Sequence, residues 1–425
     1  MKTKKVLILA YDFPPYNSIG AQRPYSWLKY FNEFGFQPII VTRHWDEIRD
    51  EEDYYKASKK QFFEETEFEG SRVIRAPFKP NFRDKLILKK GRMFILLRKL
   101  LSLIYNIGQY YHFSFDNRSS LYKAAESIIK KEKIDLIIVS VEPYVLFRYG
   151  YLLNKKYKLP WIADYRDEWT TDSIHLPNKA LQFQFKLFMK RREQKFLKSS
   201  SLIISAAKNY SDRIEALLNQ KVHTIYNGFF ENDFSDIIPE IPNDNFEIAY
   251  IGSLYDYQPL EEFLDGVELF INEQNPENFK IKFYGTNFME VERRRILSYK
   301  PFLNSYIETT DRIPRIKLYS ILAKKASALL VLASPTEVRI PGKIFDYIGL
   351  RKKIILFKDD KNVLSDIISD SKTGLIINSS EEVKNILIKM YTSRQNLIQD
   401  KISEDALKFT RKNQTKELTK LLKEI

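Results

Sequence analysis

The stretch that decides the fold runs Ala328-Leu-Leu-Val-Leu-Ala333 and then Ser334-Pro-Thr-Glu337-Val-Arg339-Ile-Pro341-Gly342-Lys343-Ile-Phe-Asp346-Tyr-Ile. A short apolar run bounded by turn residues reads as a buried strand, and the Pro-Gly pair after it opens a helix. In such a unit, backbone N–H groups near Gly342 and Lys343 face the crevice at the strand's carboxyl end, where ligands sit in open α/β sheets. Lys343 and Arg339 add positive charge suited to a diphosphate. Asp346, about one turn on, can accept hydrogen bonds from ribose hydroxyls.

The same unit recurs in both directions. Val6–Ala10, Pro38–Val41, Ile134–Ser140, Trp161–Ala163, Leu202–Ser205 and Val222–Tyr226 are strand candidates. Helix-period segments at Ala21–Phe34, Leu121–Lys131, Val145–Lys156 and Ala180–Lys198 lie between them. A second series follows at Phe246–Gly252, Lys280–Tyr284, Ser305–Glu308, Ala328–Ala333, Lys353–Phe357 and Gly374–Ile377. Between the series, Phe234–Asn245 carries Pro239 and Pro242 and reads as a linker. Strand–helix alternation implies parallel sheets covered on both faces. The expectation is α/β, with two tandem Rossmann-like doubly wound domains facing a cleft: residues 1–240, residues 241–402, and a C-terminal helix in 403–425 packing back on the first.

Composition narrows the chemistry. The 425 residues include no cysteine, which excludes disulfides, thiol catalysis and cysteine zinc sites. The four histidines lack helical metal-ligand spacing, no Asp-x-Asp occurs, and no metal site is expected. The net charge of +14 points to a polyanionic partner: nucleic acid, a membrane surface or phosphorylated substrates. No stretch of 18 uncharged apolar residues and no signal-peptide core is visible, so a cytoplasmic protein is expected.

Two further motifs follow strands. Tyr11-Asp-Phe-Pro-Pro-Tyr-Asn-Ser-Ile-Gly20-Ala-Gln-Arg-Pro24 has a proline-stiffened turn, and Gly20 permits close backbone approach at a helix start. It lacks Gly-x-Gly-x-x-Gly, which disfavours a nicotinamide dinucleotide. Trp161-Ile-Ala-Asp164-Tyr-Arg166-Asp167-Glu168-Trp169 crowds four charges at a strand end. Carboxylates beside an arginine are held ionised and oriented there. Asn227-Gly228, Gly252-Ser253 and Tyr284-Gly285-Thr286 place scarce glycines at strand ends.

Between Lys79 and His112 eight basic residues face one acid, Asp84. Lys89, Lys90, Arg92 and Arg98 belong to this set, and Phe94, Leu97, Leu101 and Ile104 fall on one helical face. The segment reads equally as an interfacial membrane anchor or as a domain helix with a solvated basic side. Lys186–Lys198 reads the same way.

Taken together, Phe13-Pro-Pro…Gly20-Ala, Asp164-Tyr-Arg-Asp-Glu-Trp, Tyr226-Asn-Gly228-Phe, Tyr250-Ile-Gly-Ser253 and Ile340-Pro-Gly-Lys-Ile-Phe-Asp346-Tyr resemble the GT-B fold glycosyltransferases of the family 4 type, over nearly the full chain. The resemblance implies a nucleotide-sugar donor in the second domain and a glycan or lipid-linked acceptor in the first, with bacterial polysaccharide assembly as the setting. It implies retention of configuration, no metal and no cofactor. Asp164, Asp167 and Glu337 become catalytic candidates. Gly20, Arg166, Asn227, Gly252, Ser253, Arg339, Gly342, Lys343 and Asp346 become donor-binding candidates. Two departures stand out: Glu337 and Asp346 are separated by eight residues where the family has seven, and Gly252–Gln258 lacks the family's basic pair. A sugar-nucleotide epimerase of the same fold and a nucleic-acid-binding protein are the alternatives. The absence of any nucleic-acid motif weighs against the latter.

Overall fold

The computed structural model describes residues 3–16, 18–48, 52–89, 91–172, 179–242, 245–334, 340–394 and 397–425. The chain forms two compact units: Met1–Tyr226 with Thr415–Ile425, and Asn227–Gln414. The boundary falls after Tyr226 rather than at 240. Phe234, read as part of a linker, instead belongs to the second unit's packing. It stacks on Tyr319 with ring centroids 4.8 Å apart, and its ring fills the space a Cβ on Gly349 would need.

The first unit is built on β1 (Lys4–Ala10), β2 (Phe36–Arg43), β3 (Glu64–Phe68), β4 (Ser71–Ala76), β5 (Leu136–Val141), β6 (Trp161–Tyr165), β7 (Leu202–Ser205) and β8 (Val222–Thr224). Their order across the sheet is β3-β4-β2-β1-β5-β6-β7-β8, parallel except for the antiparallel β3–β4 hairpin. All six residues of β5 are buried, as a parallel strand covered on both faces requires. On one face Val6, Ile8, Ile40 and Ile138 pack with Trp27 and Phe31, and with Leu418 and Leu422 of the last helix, Arg411–Lys423. That helix is separate from the short helical turn Glu404–Leu407, so the single helix expected in 403–425 is two.

The second unit holds β9 (Phe246–Ile251), β10 (Phe279–Tyr284), β11 (Ile307–Thr309), β12 (Ala328–Leu332), β13 (Lys353–Phe357) and β14 (Gly374–Ile377). They are ordered β11-β10-β9-β12-β13-β14, and every pairing is parallel. Its core runs from Phe246, Ile248 and Tyr250 through Phe263, Val267 and Phe270 to Leu330 and Phe357.

In each sheet the strand order reverses at one place: between β1 and β5 in the first, between β9 and β12 in the second. Chains leave in opposite directions there, and the crevice so opened at the carboxyl ends is where such sheets bind ligands. Among the described residues, no helix is long and apolar enough to cross a membrane.

Candidate functional site

At the first reversal point, the loops after β1, β5 and β6 converge. Arg166 ties them together. Its guanidinium donates to the Val141 carbonyl at 2.5 Å and the Glu142 carbonyl at 3.0 Å, and pairs with Asp12 at 3.3 Å. A Cβ on Gly20 would lie 1.6 Å from Arg166 Nη1, so the guanidinium occupies the space directly beside this glycine. The expected close approach at Gly20 is thus made by Arg166, and Arg166 serves to brace these loops.

Asp164 is fully buried. Arg23 grips it through Nε at 2.9 and 3.1 Å and Nη2 at 2.7 Å, and Ser140 donates to it at 2.6 Å. Arg23 also reaches the Ile225 carbonyl at 2.6 Å. With its oxygens taken and no exposure, Asp164 locks β5, β6 and the helix Ile19–Tyr30 together. It is a positioning residue, not the catalytic group expected. Asp167, three residues on, is exposed. Its charge adds to burial in pushing the Glu142 carboxyl up from the ordinary range.

These loops border a cavity of about 340 Å³ lined by Asp12, Tyr54, Arg83, Asn106, Gln109, Tyr110, Arg118, Glu142, Pro143, Tyr144, Val145, Phe185 and Met189. Burial pushes Asp12 up, against the pull of Arg166. Asp12 Oδ1 and Arg118 Nε are both buried without a hydrogen-bond partner among the described residues, an acceptor and a donor on one cavity wall. Tyr144 stacks on Trp169 at 5.3 Å, and Trp169 on Tyr110 at 5.4 Å, which holds the aromatic side of the cavity in place. Carboxylates, guanidiniums and amides facing tyrosine rings suit a polyhydroxylated ligand. Sequence reasoning missed Asp12, Arg118 and Glu142. The signal available for Glu142 was an acid directly after a wholly apolar strand and directly before Pro143.

Beside the second reversal point, β9 is followed by Gly252 and the adjacent β10 by Gly285, both at positive φ (79° and 90°). Only glycine adopts such a backbone without strain. Gln258 pins the β9 loop across the gap, donating to the Leu332 carbonyl at the end of β12 at 2.8 Å while accepting from the Tyr255 N–H at 2.9 Å. Ser253 is half-buried in this loop, and its carbonyl accepts from the Tyr250 hydroxyl at 2.7 Å.

Gly342 precedes the helix Lys343–Gly349. Lys343 reaches back to the end of β9, where its ammonium donates to the Ile251 carbonyl at 2.7 Å and lies 3.4 Å from the centre of the Tyr250 ring. Burial pushes this amine well below the ordinary lysine value, with Glu292 opposing. An anion beside it would restore its charge. Asp346 faces inward towards Arg315 and Arg411, and burial raises its carboxyl against those two cations. Glu337, Arg339 and Lys90 lie outside the described residues.

Asn227 begins the second unit, half-buried beside Gly228. A Cβ on Gly228 would meet the Phe409 carbonyl at 2.5 Å, so this turn is shaped by packing against 409–411. The structure thus gathers Gly252, Ser253, Gly342 and Lys343 at one reversal point and Gly20, Arg166 and Asp167 at the other, while Asn227 is held in a packed turn.

Three solved structures share this architecture over their whole length. A glycosyltransferase from Rickettsia africae matches with a TM-score of 0.64 at 14% identity, covering 100% of this chain and 99% of that one. HepE of Anabaena, solved with UDP and glucose, matches at 0.59 and 11% identity, covering 99% and 100%. WaaB, a lipopolysaccharide outer core galactosyltransferase in its apo form, also matches at 0.59 and 11%, covering 99% and 100%. No family model and no curated protein matches the sequence.

Proposed function

From the GT-B glycosyltransferase fold of this chain, we propose that it moves a sugar from a nucleotide-sugar to a glycan or lipid-linked acceptor, at the cytoplasmic face of a bacterial membrane during surface-polysaccharide synthesis. The observation that carries the reading is the pair of reversal points with complementary chemistry: a lysine amine held against the end of β9, just before Gly252, in one unit, and a cavity with two carboxylates in the other. HepE's complex with UDP and glucose and WaaB's description as a lipopolysaccharide galactosyltransferase support the donor and acceptor classes.

In this reading the Gly342 backbone and Lys343 hold the donor diphosphate. Asp346 is the candidate partner of the ribose, and Arg339 and Glu337, outside the described residues, remain the candidates for further phosphate charge and for the sugar. As the glycosidic bond to the diphosphate lengthens, negative charge builds on the leaving oxygen and positive charge on the sugar. The charge restored at Lys343 by the bound diphosphate stabilises the first. Asp167 or Glu142, the latter on the cavity lining, takes the proton of the acceptor hydroxyl in this reading.

Incubation with radiolabelled nucleotide-sugars and a membrane-lipid extract tests the proposal. Label should pass to extractable lipid or glycan, equally with and without EDTA, and the product's anomeric configuration should match the donor's. No transfer and no hydrolysis across UDP-, GDP-, ADP- and dTDP-sugars would overturn it. Release of an altered free sugar without any acceptor would replace it with epimerisation.

A further inference from the structure

The helix Arg92–Gly108 has no buried residue over its 17 positions, although most of them are apolar. Phe94, Leu101, Leu103 and Ile107 are half-buried, whereas Met93, Ile95, Leu96, Leu97, Leu100 and Ile104 are exposed, Leu96 and Leu100 at 72% and 63%. Of the exposed set, all but Ile95 fall at i, i+3, i+4, i+7 and i+11, one continuous helical stripe. A second helix, Lys179–Leu197, leaves Phe183 exposed at 70% and Leu187 at 39%. The two meet through Tyr111, just beyond the first helix, whose ring stacks on Phe188 at 6.0 Å with the Arg192 guanidinium 4.0 Å above it.

Charge on this surface has one sign. The two helices carry nine basic residues and a single acid, Glu193, which is fully buried. Lys89, just before the first helix, lies 5.4 Å from the Phe94 ring. Exposed bulky apolar side chains set among cations match the headgroup boundary of an anionic bilayer, where apolar groups enter the acyl region and the cations meet lipid phosphates. Both helices also supply walls of the first unit's cavity: Asn106 from one, Phe185 and Met189 from the other.

We propose that these two helices seat the protein on an anionic bilayer, and that the acceptor entering the cavity they line is carried by a membrane lipid. The acceptor half of this statement rests on the proposed sugar transfer; the bilayer half stands without it.

The chain has no cysteine, so single substitutions Leu100→Cys, Phe183→Cys and Glu381→Cys each give one labelling site on the full chain. An environment-sensitive fluorophore at Leu100 or Phe183 should shift to the blue with phosphatidylcholine–phosphatidylglycerol vesicles. It should shift little with phosphatidylcholine alone, and the label at Glu381 should not respond. Leu96→Glu with Leu100→Glu alters only exposed positions. That variant should keep the wild-type melting temperature and its response to nucleotide-sugars while binding anionic vesicles about tenfold or more weakly. No blue shift at Leu100, an equal shift at Glu381, or undiminished vesicle binding by the double variant would overturn the bilayer seat. A vesicle response in a protein that no nucleotide-sugar stabilises would instead remove the sugar-transfer reading. Transfer to water-soluble oligosaccharides as fast as to lipid extract would overturn the lipid-borne acceptor.

Discussion

Asp164 and Asp167 sit three residues apart and differ in kind, and substitution should separate them. Asp164→Asn strands the Arg23 guanidinium in a fully buried place, a change that costs about 3–5 kcal/mol. Urea unfolding should show that loss. Asp167→Asn should leave the urea midpoint in place and lower transfer by about a hundredfold. Glu193 gives a pH signature. It is wholly buried, accepts hydrogen bonds from Tyr165 at 2.7 Å and from Thr170, and burial pushes its carboxyl up to about 7. The native state therefore holds a proton that the unfolded chain releases near pH 4.5. The stabilisation is present below that pH and is lost as pH rises to about 7. Glu193→Gln should match the wild type near pH 4 and exceed it at pH 8 by on the order of 3 kcal/mol, read by denaturation at each pH. At Lys343, burial pushes the amine well below the ordinary lysine value, and an anion beside it opposes that shift. Nucleotide-sugar binding should therefore be accompanied by proton uptake that grows as pH rises, measured as a binding heat that varies with buffer ionisation enthalpy. Lys343→Met should abolish that uptake.

Helices and strands explain how much was readable in advance. The twelve strands expected from apolar runs all form, because parallel strands buried on both faces need continuous Ile, Val and Leu. The β3–β4 hairpin escaped notice for the opposite reason. Glu64-Glu-Thr-Glu-Phe68 alternates at the sheet edge with every residue at least partly exposed, and its pairing depends on a partner strand that no local pattern announces. The basic segment was recognisable, yet its outward face was not. Period alone grouped Phe94 and Leu101 with Leu97 and Ile104, and only packing distinguishes the half-buried pair from the exposed stripe. Charge clustering drew attention to Asp164 and Arg166, whereas Arg23 lay unremarked inside a helix until its partner was visible. One contact between elements supports a further test. A Cβ on Gly266 would lie 2.5 Å from both the Ser380 carbonyl and Val383 Cβ, so Leu260–Gln274 and Ser380–Ser393 touch there. Gly266→Val should lower stability by about 1–3 kcal/mol through overpacking, seen in the urea midpoint.

Across the whole chain, two parallel sheets each reverse their strand order once, and the chemistry-bearing loops gather at those reversals. Half of the net charge of +14 lies between Lys79 and His112, on the unit that also holds the cavity. Gly252, Gly285, Gly342 and Lys343 belong to the other unit. The proposed transfer divides the labour between an anion-holding sheet and an acceptor-holding sheet in one chain. Thermal melting of the full chain with UDP-, GDP-, ADP- and dTDP-sugars tests this, because a ligand bound only by the folded state raises the melting temperature. At a hundredfold excess over Kd the gain is about 2.7 kcal/mol. At least one nucleotide-sugar should raise the melting temperature by several degrees, and Lys343→Met should lose that rise. No rise with any of them, or the same rise without the Lys343 amine, would contradict it.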